Sequence, residues 1–204
     1  MKKICILDYG LGNVKSLYNS LKKINFNPVF FSENKKNNYD FVFIPGVGSF
    51  AAASKILNKK IYLDFLKKHI KNGKIFGICL GMQILHSLGE ENGNSSGLDY
   101  IKGKIIKIKS TKKIILPFVG YQKVKFLHKE NLNFLRKYNL EKFYFVHSYM
   151  AKLNSNKNLL AITNSNDIEY PAAVLDRNII GTQFHPEKSG EIGLFFLKDI
   201  INNF

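Results

Sequence analysis

Cys79 stands in Gly77-Ile78-Cys79-Leu80-Gly81, where a short apolar run gives way to a helical pattern. Glycines placed two residues to either side of a nucleophile mark a strand–turn–helix elbow. The turn is tight, and the glycines leave room where side chains would collide. The nucleophile then emerges at the carboxyl edge of a sheet, where open α/β sheets take ligands. N–H groups at the start of the following helix, and its positive dipole end, favour thiolate over thiol. A structural cysteine packed between glycines would carry the same five residues, so the elbow needs a base to become chemistry.

Gly181-Thr182-Gln183-Phe184-His185-Pro186-Glu187 supplies one. If the strand that it ends runs parallel to the one before Cys79, His185 emerges at the same sheet edge. Pro186 forces a turn, which lets Glu187 return to orient the imidazole. His69 and His86 fall in helical patterns and His128 in a lysine-rich turn, which suits surface or packing roles. A third element is Pro45-Gly46-Val47-Gly48-Ser49-Phe50, after another strand. Its glycines free the backbone to aim N–H groups at a ligand, so Val47 and Gly48 are oxyanion-hole candidates with the Leu80 N–H. An ordinary loop is the alternative.

The elements that must position these groups read as strand and helix in alternation. Strand candidates are residues 4–7, 29–31, 41–44 and 74–78; helix candidates are 14–24, with Asn13 as cap, then 51–57 and 61–70. Gly73 is read as closing the second of that helix pair, and the elbow helix as running from Leu80 to Leu88. The second half is richer in strands: 106–109, 124–127, 143–146, 159–162, 172–175 and 179–184, with a closing helix over 192–201. Gly89–Gly97 reads as a flexible loop. The pattern predicts an α/β domain over residues 1–204, with a mixed, mostly parallel sheet flanked by helices.

Composition removes other function classes. The chain has 31 Lys and Arg against 15 Asp and Glu, a formal charge of +16. Only Arg136 and Arg177 are arginine, and nucleic-acid recognition favours arginine, so the excess reads as a solvated lysine surface. No apolar run reaches the roughly 20 residues of a membrane helix. The expectation is a cytoplasmic protein that contacts neither nucleic acid nor membrane. Two cysteines make neither a disulfide framework nor a zinc site. Cys5, inside an apolar strand, reads as a small buried residue.

Taken together, these segments, with Leu80 to Gln83 and Tyr144-Phe145-Val146-His147-Ser148-Tyr149, resemble class I glutamine amidotransferases. Within them they resemble the HisH glutaminase subunits; Tyr9-Gly10-Leu11-Gly12-Asn13 fits as well. The resemblance implies the flavodoxin-like fold of that class in a single domain. It implies a thioester formed on Cys79, proton transfer by His185, and support from Glu187. Val47, Gly48 and Leu80 would supply the oxyanion donors. Gln83, Glu91, His147, Ser148 and Tyr149 would bind glutamine, with neighbouring Glu90 an alternative for Glu91. No metal or organic cofactor is implied.

The implied partner is a HisF-type (β/α)8 cyclase, which would use the ammonia to make imidazole glycerol phosphate and AICAR for histidine biosynthesis. Lys188, Tyr121 and Asn13 are the interface candidates, although Lys188 also fits a solvated role. One segment departs from the family. Where relatives read close to Pro-His-Met-Gly-Trp-Asn, this chain has Pro117-Phe118-Val119-Gly120-Tyr121-Gln122. That leaves open a HisH-like relative feeding another synthase, such as one amidating a surface sugar. A catalytically silent interaction protein on the same fold is a third reading.

Overall fold

The computed structural model describes residues 2–31, 38–109, 116–165 and 168–204. In chain order the first half holds β1 (Ile4–Ile6), α1 (Val14–Lys23), β2 (Val29–Phe30), β3 (Phe41–Gly46), α2 (Phe50–Leu57), α3 (Lys60–His69), β4 (Lys74–Cys79) and α4 (Leu80–Ile84). There follow β5 (His86–Gly89), β6 (Ser95–Ser96), β7 (Ile101–Lys107), β8 (Phe118–Phe126), β9 (Lys142–His147), β10 (Tyr149–Leu153), β11 (Leu159–Ser165), β12 (Ile168–Asp176), β13 (Ile179–Thr182) and α5 (Gly190–Asn203).

Among the described residues, the large sheet runs β2-β1-β3-β4-β13-β12-β11-β8-β9. From β2 to β13 the pairs are parallel; from β13 to β9 they are antiparallel. A smaller sheet, β10-β7-β5-β6, stands beside it. The mixed sheet expected from the sequence is present, and its antiparallel part is larger than the short strand candidates indicated.

Period-two alternation divides the core between the sheet's faces. Ile4, Ile6, Phe41, Phe43, Phe76 and Ile78 point into one apolar cluster with Leu17, Leu21, Phe196 and Leu197 from α1 and α5. Cys5, Leu7, Val42, Ile44 and Ile75 point into the other, with Phe50, Leu57 and Leu66 from α2 and α3. Cys5 is fully buried, and burial pushes its thiol up to about 12. It packs as expected. The Asn13 side chain accepts the Ser16 N–H at the start of α1, and Ser49 accepts that of Ala52 at the start of α2.

Two local expectations need correction. The elbow helix stops at Ile84 rather than Leu88, and His86 lies in β5, not in a helix. The continuous apolar pattern is real, but a neighbouring segment takes over the backbone bonds: Leu98 N–H donates to Ile84 O, and Tyr100 and Ile101 N–H both donate to Leu85 O. The buried His86 ring sits by the Met82 and Gln83 carbonyls and ends the helix from its own side chain. Second, Gly89–Gly97 is not a flexible loop. β5 and β6 pair antiparallel across it, and Asn92 and Gly93 take φ of 56° and 99°, the left-handed pair of a tight hairpin turn. Gly73 closes α3 as expected: its N–H donates to the carbonyl of His69, the last residue of the helix, and a Cβ there would lie 2.1 Å from the His69 ring.

Candidate active site

Three adjacent parallel strands bring the main groups to one edge. Gly46 at the end of β3 pairs with Cys79 at the end of β4, and Ile78 pairs with Thr182 at the end of β13. The three sequence motifs therefore meet by register. Cys79 has φ 53° and ψ −110°, an uncommon conformation for a side-chain-bearing residue that costs on the order of 1–3 kcal/mol. Close packing holds it there. A Cβ on Gly81 would stand 1.6 Å from Ile44 O, and one on Gly77 2.6 Å from Gly81 O. With only five residues, α4 has a short dipole; the N–H groups of its first turn remain local donors.

β13 ends at Thr182, and Pro186–Lys188 form a single 3-10 turn. This turn brings Glu187 back, so that its Oε1 lies 2.7 Å from His185 Nδ1. Both side chains are almost wholly buried. The turn is tied down on two sides: His185 N–H donates to Tyr144 O, and Ser189 Oγ donates to His185 O while accepting the Tyr144 N–H. Burial by itself would push the His185 imidazole down. The Cys79 sulfur and the Glu187 carboxylate outweigh it and raise the group to about 10. The electrostatics thus favour a protonated imidazole at His185, facing the Cys79 sulfur.

Cys79 opens into a cavity of about 220 Å³ lined by Val47, Gly48, Leu80, Gln83, Glu91, Pro117, Val146, His147, Ser148 and Tyr149. Every oxyanion and glutamine-binding candidate from the sequence is in that lining. Glu91 and Glu90 are separated by their contacts. Glu91 Oε2 accepts the Phe50 N–H at the start of α2 and faces the cavity, whereas Glu90 pairs with Lys104 on the surface. His147 is buried, and burial holds its imidazole down at about 4, so it stays neutral. Its Nδ1–H donates to Tyr149 O at 2.8 Å.

Sequence reasoning missed Pro117, Val146 and Gln183. Pro117 and Val146 are apolar wall residues with no chemical signature. Gln183 sat in view two residues before His185; it donates to Cys79 Sγ at 3.6 Å. Of the interface candidates, Tyr121 and Lys188 lie together, the Tyr121 hydroxyl donating to Lys188 O at 3.1 Å. Lys188 Nζ also lies over the Tyr144 ring, 5.9 Å from its centroid. Asn13 is exposed beside Gly12, whose Cβ position is 3.3 Å from Gly46 Cα, so it borders the oxyanion loop.

Comparison with known proteins agrees with this geometry. The family described as glutamine amidotransferase class-I matches residues 5–201. The imidazole glycerol phosphate synthase subunit HisH of Sulfolobus acidocaldarius is 40% identical over 197 residues, covering 96% of this chain and 95% of the relative. The HisH subunit of Caldanaerobacter subterraneus is 39% identical over 199 residues, covering 96% of both chains. A chain in the structure of PurLQS from Thermotoga maritima superposes with a TM-score of 0.77 at 21% identity, covering 99% of each, which is a likeness of fold. The chain belongs to the class I glutamine amidotransferases and, within them, to the HisH subunits, and it is an amidotransferase enzyme.

Proposed function

We propose that this chain releases ammonia from glutamine at Cys79 and passes it to a HisF-type (β/α)8 cyclase, the two forming an imidazole glycerol phosphate synthase of histidine biosynthesis. The observation that carries the reading is the buried His185–Glu187 pair set beside a strained Cys79 at the mouth of the glutamine-sized cavity. The Cys79 thiolate attacks the side-chain amide carbon. An S–C bond forms, and the oxyanion is held by N–H groups of Leu80 and of the Val47–Gly48 turn. His185 gives its proton to the departing nitrogen as the C–N bond breaks, leaving a glutamyl thioester and ammonia. His185 then takes a proton from water, whose oxygen displaces sulfur to give glutamate. Glu187 holds the imidazole throughout, and Glu91 meets the substrate ammonium.

Free glutaminase activity would waste glutamine. Gly48 has a φ of +109° and nothing within 4 Å of its Cβ position, so the Val47–Gly48 peptide has room to reorient, while Gly46 before it is held by close packing against Tyr9 and Leu80. One orientation presents a carbonyl to the oxyanion site and the other an N–H. A partner that binds the second better switches the enzyme on. The isolated chain should turn over slowly and rise about 10²-fold or more with partner and acceptor, the worth of one oxyanion donor.

The departing segment supports a second reading, a relative that feeds another synthase. Two of its changed residues face inward and bear little on a partner: Gln122 Oε1 accepts from Thr163 and Tyr170, and Phe118 lies beside the His147 ring. Tyr121 keeps an outward aromatic, 55% exposed. The test is reconstitution. Cys79→Ala should lose glutamine-dependent synthesis yet keep synthesis from ammonium salt. Wild-type glutaminase rates in that variant would remove Cys79 from the mechanism. If a histidine-pathway cyclase gives no stimulation and a surface-sugar synthase does, the second reading replaces the first.

A further inference from the structure

Gln183 is completely buried between the nucleophile and the glutamine pocket. Its amide is not free to choose its orientation. Gln83 lies 3.2 Å from the backbone carbonyl of Tyr149, and a carbonyl only accepts, so the Gln83 atom facing it is Nε2. The same Nε2 lies 3.0 Å from Gln183, which must therefore offer its oxygen, Oε1. The remaining end of Gln183, its NH₂ group, then faces Cys79 Sγ at 3.6 Å. One main-chain carbonyl thus fixes the direction of three successive bonds. Both N–H bonds of Gln83 are used by Tyr149 and Gln183, so what Gln83 has left for the cavity is its carbonyl oxygen.

We propose that Gln183 is a positioning residue with two effects, set by this single orientation. Its N–H stabilises the Cys79 thiolate, and its carbonyl locks the Gln83 amide so that an acceptor, not a donor, meets the N–H groups of the bound glutamine. A hydrogen bond to the charged form of an ionisable group favours that form, and bonds to charged partners are stronger than neutral ones. The cysteine is thereby biased in the direction that the imidazole requires. The inference rests on Cys79 being the nucleophile.

Two variants separate the effects. Gln183→Met keeps the length but removes both the donor and the acceptor. Gln183→Glu keeps an oxygen toward Gln83 and replaces the N–H facing sulfur with a carboxylate oxygen. The rate of Cys79 alkylation by iodoacetamide is measured against pH in the full chain. Glutamine kinetics are measured in the reconstituted complex, with melting curves to report folding. In both variants the pH of half-maximal alkylation should rise by about one unit, the worth of one charge-assisted hydrogen bond. KM for glutamine should rise about tenfold in Gln183→Met and stay within about twofold in Gln183→Glu. Wild-type pH profiles in either folded variant would overturn the sulfur contact, and equal KM values in the two would overturn the lock on Gln83. Failure of the nucleophile assignment is read separately, as glutamine-dependent synthesis surviving in Cys79→Ala.

Discussion

The two halves of the large sheet handle a buried histidine in opposite ways. At the end of the parallel half, His185 is held above its ordinary range by the sulfur and carboxylate that face it, against the pull of burial. At the end of antiparallel β9, His147 is equally buried, and burial holds it at about 4. One imidazole is prepared to carry a proton and the other to stay a neutral wall. The difference lies in what the strand ends bring together. Parallel strands put their carboxyl ends side by side, so three motifs distant in sequence meet at β3, β4 and β13. Antiparallel strands place alternate residues in and out. β8 accordingly gives Gln122 and Val124 to the core and exposes Val119 and Tyr121. The motif residues gather at the strand ends of the parallel half, while Tyr121 stands exposed on the antiparallel half beside Lys188 from the turn after β13.

The largest expected effect is structural. Gly81→Ala puts a Cβ against Ile44 O with no flexible neighbour to yield, so the elbow itself must move. Loss of soluble protein, or a destabilisation above about 3 kcal/mol by denaturant titration, is expected. A variant with native stability and rate would mean the elbow tolerates a looser turn. Next come the catalytic groups. His185→Ala should lower single-turnover acylation by about 10²–10⁴-fold, the usual range for lost proton transfer, and Glu187→Gln by less. Equal or reversed losses would contradict the roles assigned to the pair.

In the antiparallel half, Tyr121→Ala should leave the melting temperature nearly unchanged, because the side chain is exposed. It should weaken the cyclase-dependent stimulation about tenfold, as truncation of an interface aromatic does. Unchanged stimulation would remove Tyr121 from the interface. The smallest effect compares the two histidines through pH. His147 is depressed from its ordinary value of 6.5, so the unfolded chain binds its proton first, and stability falls as pH drops from about 6.5 toward 4. His185 is raised, so its contribution is intact below about 6.5 and is lost as pH climbs through about 10. Replacing His147 by Gln should flatten the acid limb, and replacing His185 by Gln the alkaline limb, each on the order of 1–3 kcal/mol in urea titrations. Limbs that respond the other way round would reverse the assignment of charge.

Local rules were sufficient for much of this molecule. Glycine spacing around Cys79, the proline turn after His185 and the apolar strands of the parallel half are written in neighbouring residues, and each is stabilised mainly by short-range sterics and uniform burial. The motifs also carried the family, because their order and residue types are jointly restrictive. The polar residues around Asn92-Gly93 read as a loop, and the hairpin came from the pairing of β5 with β6. Other features required contacts between distant segments. The elbow helix ends at Ile84 because residues 98–101 take the bonds of the next turn. β10 has no strand pattern of its own and forms by pairing with β7. Glu90 is drawn to the surface by Lys104, and Glu91 is held toward the cavity by the start of α2. The same is true of Gln183: its residue type was visible, but its direction came from the Tyr149 carbonyl, through Gln83. Sequence fixes which groups are available and the turns that expose them, because those depend on neighbours in the chain. Only the folded structure assigns each polar group its partner, since a hydrogen bond's direction depends on what lies across the space it enters.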